Sequence, residues 1–517
     1  MASNDLVHLK PKQKRRLYES VVMYKALTDF TREKGALRSA EATPRPLNEQ
    51  ERYHLFLHKL ASVCDSIKGG RTVTSVTILD EEDKFVYVFG CNQVFGRDLD
   101  GTQDFMATLL KKLSGAHKLG QEEKCAVEKD VLKMILSFNS PRISCYLNEL
   151  KKKNIAPCLA YCGRQSGTTD ASIANALRTL DSAIEDITFK GWNQEQCKSG
   201  KLATYSLRAF LTTTTTQYIN NRAEQDRLNE GRNYVCWAGL RHSLSRLLNY
   251  KRTVQCLISA EKEWPELFQE FVVVPVESST KDLNPLGKKS ESAHAIIGRM
   301  CGDRASQDRY RMLAQNLQGI NLDDRIKDKS QSAFRPIVHA EILVLEWVMA
   351  KSRSNLKSRQ PAVSFFHDWK YIGSSKGACQ LCRYYFDTVG QHDGIETRAS
   401  HGNLYINWRF PDVYESDSSS VKTRRQNIFN FVIEKIRAEV LEILVHKNSK
   451  GKQHDSSTHP LMSVRNTDVQ TDLGARSVLD SDELAQNFAG GLILDSSGNS
   501  FEESDFDDDD NGGTSLG

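Results

Sequence analysis

The sequence predicts a mixed α/β fold, of the α+β kind, from three observations. Near residues 48–89 a helical pattern is followed by two β-rich runs. Near 336–386 an apolar run of helical length is followed by a short strand and a second helix start. Between them, residues 105–325 are mostly helical by pattern.

Residues 1–45 are polar and basic. Lys10-Pro11-Lys12-Gln13-Lys14-Arg15-Arg16 reads either as a nuclear localisation signal or as an exposed arm before a helix that starts near Leu17. Over 48–68, Asn48 and Glu51 fit a reciprocal cap, and Tyr53, Leu57, Leu60, Cys64 and Ile67 recur at helical spacing until Gly69-Gly70 stop the helix. Thr72–Leu79 and Phe85–Phe89, joined by the acidic turn Asp80–Asp83, read as a hairpin. Farther on, Ile173, Leu177, Leu180, Ile184 and Ile187 form an apolar stripe of the kind that faces a core. Phe271–Val274 suggests a strand, as do 394–398 and 403–410, and Val432, Ile436, Val440 and Ile443 mark a helix over about 424–446. From Asn448 the Ser/Asp/Gly-rich composition predicts disorder. The boundaries that follow are a basic arm over 1–45, a helix plus hairpin over 46–104, a helical stretch over 105–325, a core segment over 326–447 and an acidic tail over 448–517.

Hydrophobic residues make up 39% of the 517, enough to fill a core, and no apolar run reaches the roughly 18 residues of a membrane span. The polar, basic start argues against a signal peptide, and twelve scattered cysteines fit a reducing compartment, cytoplasmic or nuclear. The net charge of +4 hides an asymmetry: residues 480–517 hold eleven acidic residues and no Lys or Arg, leaving +15 on the rest. A basic body with an acidic tail is compatible with nucleic-acid contact, and equally with a solvated basic surface.

The residues with the clearest chemistry are His339 and Glu341, a His-x-Glu, and Cys379 and Cys382, a Cys-x-x-Cys. One imidazole and two thiolates are three ligands suited to zinc, with a fourth position left open. Pro336 reads as a helix-start signal, which places His339 and Glu341 in the first turn of the apolar helix. After the short strand 370–373, Cys379 and Cys382 stand three apart at another helix start, on one face, where the helix N-terminus favours thiolate. This order of motifs is that of zinc-dependent base deaminases, in which the Glu moves protons and is not a ligand. A purely structural zinc would need a fourth ligand, for which His367 and His392 are nearest. Cys158 with Cys162, or Cys145 with Cys197, could form a second metal site, although buried free cysteines are common.

The run from Tyr371 through Gly373-Ser374-Ser375-Lys376-Gly377-Ala378 to Cys379 and Cys382, with His339-Ala340-Glu341 upstream and Ala399-Ser400-His401-Gly402 downstream, resembles the OTT-type fungal deaminase-like family of the cytidine deaminase-like superfamily. The resemblance covers about 336–412 and, more loosely, 46–92. It implies a three-layer cytidine deaminase-like fold, here split by a large, mostly helical insertion. Ala378 departs from the superfamily in replacing a proline, which bears on the pocket beside the metal and not on the ligands. Ala340, Ser375 and Lys376 are then expected in the substrate pocket with Ala378 beside them, and His401 and Trp408 are expected to approach from later strands. For His401 the plain alternative is a hydrogen-bonded turn residue, and for Trp347 and Trp369 it is core packing.

Three functions fit. The first is hydrolytic, zinc-dependent deamination of a nucleobase, nucleoside, nucleotide or nucleic acid, with Glu341 carrying the proton and single-stranded nucleic acid among the candidate partners. The second is a catalytically silent zinc-bound scaffold, which an intact Glu341 disfavours. The third is a nucleic-acid-binding module with structural zinc. Ammonia release separates the first from the others, and salt-dependent oligonucleotide binding separates the third from the second.

Overall fold

The computed structural model describes residues 5–28, 46–165, 167–185, 210–228, 236–287, 290–331 and 334–446. The expectations for the acidic tail, Ile187 and Cys197, and for residues 1–4 and 29–45 of the basic arm, lie outside the described residues.

A mixed sheet is the centre. Its strands are β1 (Thr74–Glu81), β2 (Lys84–Cys91), β3 (Phe271–Val276), β4 (Ser364–Phe365), β5 (Tyr371–Ser374) and β6 (Glu396–Thr397), in the order β3-β2-β1-β5-β6, with β4 also on β1. The expected hairpin forms β1 and β2, closed by a tight turn with Glu81 opposite Lys84. β5 joins β1 antiparallel, while β3 on β2 and β6 on β5 are parallel. The stretch 105–325 therefore contributes a strand to the same sheet as the hairpin.

The two faces of the hairpin bury different partners, because side chains alternate along a strand. Val76, Ile78, Tyr87 and Phe89 face one core, and Leu79, Val86 and Val88 the other. The first core lies under α2 (Glu49–Cys64) and the helical body α3 (Arg97–Leu113), α4 (Gln121–Phe138), α5 (Ser140–Glu149), α6 (Ala156–Gly163), α7 (Thr168–Glu185), α8 (Thr213–Leu228) and α9 (Cys236–Glu263). The second lies under α1 (Pro11–Thr28), α10 (Ala293–Met300), α11 (Arg304–Gln315), α12 (Leu322–Gln331), α13 (Ala340–Ser358), α14 (Gln380–Phe386) and α15 (Ser419–His446). The result is helix, sheet, helix: a three-layer α+β arrangement. α2 lies so close on β5 that a Cβ at Gly373 would stand 2.4 Å from Leu57 Cβ.

Several elements differ from expectation. α1 starts at Pro11, so the basic run 10–16 is its first turns and not an arm; proline suits the first helical position. α2 keeps its Asn48–Glu51 capping box but ends at Cys64, before Ile67, because Asp65 turns away to meet Arg142 and Thr72. Residues 403–410 form no strand. That chain is irregular and makes single bridges instead: Ile337 N donates to Asn407 O, and Arg409 N donates to Ile337 O. Pro336 belongs to this bridged approach, and the N-cap of α13 is His339 itself. No helix among the described residues is long and apolar enough to cross a membrane.

Candidate metal centre

Two helix N-termini meet to form the site. His339 caps α13 in extended conformation (φ −76°, ψ 153°), with its carbonyl accepting from Ile342 and Leu343. Cys379 caps α14, its Sγ accepting from the Cys382 amide at 3.4 Å. The loop before Cys379 is pinned by a bridge between Ala378 and Ser400 and by His401 N donating to Ala378 O at 3.2 Å. Gly377 allows that approach, since a Cβ there would sit 2.7 Å from Ala399 O.

The His339 Nδ1 atom stands 3.5 Å from Cys379 Sγ and 3.4 Å from Cys382 Sγ, and the three ligand atoms all lie within 4.8 Å of one another. All three residues are buried. The Trp408 indole N–H donates to Cys382 Sγ at 3.2 Å, a donor that stabilises thiolate. Burial alone would push the Cys379 thiol up, but hydrogen bonds from Cys382 and the charge of His339 bring it well below its ordinary value. Burial and the neighbouring Cys379 thiolate push Cys382 well up. Burial works against protonation of His339, yet Cys379 outweighs it and raises the imidazole. The three groups shift one another's affinity for protons, and a metal bound there competes with those protons. Thiolate and neutral imidazole are the ligating forms, so a soft divalent cation replaces those protons. The donor set and its burial fit zinc.

Glu341, in the first turn of α13, is buried against the Cys382 thiol; burial raises its carboxyl, with His339 opposing. A carboxyl held up in this way can both accept and return a proton.

The other expected residues separate. Ala340 is fully buried and its N–H donates to Asn92 Oδ1 at 2.8 Å. Ser375 is occupied structurally: its hydroxyl donates to Asp65 at 3.2 Å and accepts from Thr74 N at 3.2 Å. Lys376 is half-buried and near enough to lower the affinity of His339 for a proton. His401 accepts from Asn403 N through Nδ1 at 3.0 Å and meets Tyr405 edge-on, while Tyr405 also reaches the His339 ring at 6.3 Å. His392 bonds the Tyr385 carbonyl and Arg424, and His367 stacks on Phe366, so neither joins the three ligands. Cys158 and Cys162 are buried one turn apart on α6 and enter no three-ligand cluster among the described residues.

Asn92 and Asp65 carry parts of the site that sequence reasoning passed over. Asn92 was visible as a polar residue ending the apolar run of β2. Asp65 had no comparable signal, since its partner Arg142 is remote in sequence.

Residues 338–412 match the family model of the OTT_1508-like deaminases. That span holds a deaminase-like domain. It contains both halves of the metal centre and Trp408. Neither the curated proteins nor the solved structures hold a match to the chain.

Proposed function

We propose that the chain is a zinc-dependent hydrolytic deaminase acting on a nucleobase, free or within a nucleotide or nucleic acid. The observation that carries this reading is one cluster: His339, Cys379 and Cys382 with ligand atoms within 4.8 Å, and a buried Glu341 beside them that the cluster does not need as a ligand. Zinc held by these three residues would acidify a bound water to a pKa of about 7.

The chain's own residues account for the rest of the reaction. Glu341 accepts the proton that the water loses. It then delivers a proton to the exocyclic amine, which leaves as ammonia while a carbonyl oxygen takes its place. The Trp408 indole N–H and the Cys382 amide each donate to one of the two sulfurs, which favours the thiolate forms that bind metal. Asn92, by holding the Ala340 N–H, fixes the first turn of α13 and with it Glu341. Three protein ligands without a fourth among the described residues favour a catalytic over a structural site.

The test is ammonia release from a panel of cytosine- and adenine-containing bases, nucleosides, nucleotides and oligonucleotides. Glu341→Gln keeps nearly the same shape and should retain zinc, while turnover falls about a hundredfold to ten-thousandfold. A zinc-loaded wild type with no turnover on any member sinks the enzyme reading in favour of a silent scaffold. Turnover that survives Glu341→Gln sinks the mechanism.

A further inference from the structure

After β3 the chain crosses the end of the sheet at which the metal centre lies. β3 runs parallel to β2 with Val276 opposite Gly90, so both strands end on the same side. β1 starts there and β5 ends there, since Thr74 pairs with Cys91 and Ser75 with Ser374. Residues 277–282 run across this end. Ser278 Oγ accepts from Val94 N at 3.0 Å and shares its proton between the carbonyls of Cys91 (2.6 Å) and Val94 (2.9 Å). Ser279 Oγ accepts from Val338 N at 2.8 Å, and Asp282 N donates to Pro336 O at 2.9 Å. Arg409 anchors the segment by donating to Thr280 O at 3.3 Å. Both serines are buried.

Two neighbouring hydroxyls thus hold two different segments, and both segments lead to the metal helix. Val338, held by Ser279, immediately precedes His339. On the other side of His339, Ala340 N donates to Asn92 Oδ1 at 2.8 Å. Ile337 N donates to Asn407 O at 3.0 Å. The first amides of a helix have no acceptor within it, so groups outside set how its first turn sits. Around His339 those groups come from three places: the hairpin end, the chain after the cysteine helix, and the crossing segment. Asn92 depends on the crossing segment as well, because Ser278 holds Cys91 and Val94 on either side of it. Ser279 therefore bears on the turn directly and Ser278 bears on it through Asn92. A rotation of that turn moves the His339 ring and the Glu341 carboxyl together.

We propose that Ser279, backed by Ser278, is a positioning residue for the metal centre: its hydroxyl fixes the backbone at His339, and with it the aim of the imidazole and of Glu341. Groups that orient metal ligands usually bond the ligand's own ring or carboxylate. Here the support runs through the backbone, which suits a ligand that is itself the N-cap of its helix. The mostly helical stretch 105–325 carries both serines, so it is part of the metal centre and not a module appended to it. The span 338–412 contains all three ligands and neither serine. The proposal rests on metal binding by His339, Cys379 and Cys382 and does not require deamination.

The experiment compares Ser279→Ala with Ser330→Ala in the full chain. Ser330 is also a buried hydroxyl of the core around the metal helix, but it donates within its own helix, to Ile326 O at 2.7 Å. Three quantities are read: the melting temperature, zinc affinity in competition with a chelator, and the visible spectrum of the cobalt(II)-loaded chain, which responds to ligand geometry. Ser279→Ala should weaken zinc binding about tenfold to a hundredfold and shift the cobalt bands. Ser330→Ala should lower the melting temperature and leave affinity and spectrum near wild type. Ser279→Thr keeps the hydroxyl and should bind zinc more tightly than Ser279→Ala. Ser278→Ala should give a smaller loss in the same direction, and it decides the question where Ser279→Ala does not fold. Wild-type affinity and spectrum in Ser279→Ala overturn the proposal. So does a loss of affinity that merely follows the melting temperature across Ser279→Ala and Ser330→Ala, which would make the hydroxyl a packing group. A wild-type chain that binds neither zinc nor cobalt overturns the metal reading and this proposal with it. A chain whose affinity responds to Ser279→Ala but which releases no ammonia keeps the proposal and refutes the deaminase reading alone.

Discussion

On one side of the segment 374–379, the Asp65 carboxylate receives Arg142 at 2.6 Å, Thr72 at 2.7 Å and Ser375 at 3.2 Å, and Ser375 in turn accepts from Thr74. On the other side, the His339 imidazole and two thiols face one another at 3.4–3.5 Å with Glu341 beside them. Both clusters are buried and both join residues from separate elements. In the first, the cation and the hydroxyls already balance the carboxylate. In the second, two sulfurs and a ring nitrogen converge and push one another's protonation in opposite directions. A balanced cluster fastens elements together, whereas a cluster of converging donors without counter-charge is built for a guest.

The largest expected effect breaks the second cluster. Cys379→Ser with Cys382→Ser removes two of three soft ligands and should abolish zinc binding, measured as metal per chain by elemental analysis. Binding at structural sites of comparable donors amounts to about 10–16 kcal/mol, so thermal stability should also become insensitive to added zinc. Full occupancy in the double variant would place the metal elsewhere.

The next breaks the first cluster and should leave the second intact. Arg142→Met strands the Asp65 carboxylate in a buried position, which costs about 3–5 kcal/mol when one partner of such a pair is removed. Chemical unfolding should report that loss, while the folded fraction keeps one zinc. If instead zinc is lost in step with Arg142, the two clusters act as one and the distinction drawn here fails.

Asn92→Ala tests the link between hairpin and metal helix. It leaves the buried Ala340 N–H without its acceptor, at a cost of about 1–3 kcal/mol. Because that amide lies between His339 and Glu341, turnover should fall more than stability predicts. An equal loss in both would reduce Asn92 to a fold residue.

These differences explain what could be read from the chain beforehand. His-x-Glu and Cys-x-x-Cys each place their ligands within one helical turn, so local spacing reveals them, as it does the Asn48–Glu51 cap and the β1–β2 hairpin. The β-rich run at Phe271 was legible as a strand, but its parallel pairing with β2 joins residues far apart in the chain and has no local mark. The Asp65–Arg142 pair is hidden for the same reason. Residues 403–410 misled because Leu404, Ile406, Trp408 and Phe410 alternate like a strand. Leu404, Trp408 and Phe410 are buried in the core around the metal helix, and the backbone bridges to Ile337 instead of entering the sheet.

The smallest effect separates packing from ligand support at a single residue. Trp408 is fully buried, touches Phe410 with ring centroids 4.8 Å apart, and gives its only N–H to Cys382 Sγ. Trp408→Phe keeps an aromatic ring in that core but removes the donor. Loss of the extra ring atoms and of one hydrogen bond should cost about 1–3 kcal/mol of stability. The Cys382 thiolate loses a stabilising partner, and residues that support metal ligands in this way are worth about tenfold to a hundredfold in affinity. Zinc competition against a chelator should therefore show weaker binding in Trp408→Phe. A Phe410→Leu control, which disturbs the same core without touching sulfur, should lower stability and leave zinc affinity near wild type. If both variants weaken zinc equally, the indole acts only by packing.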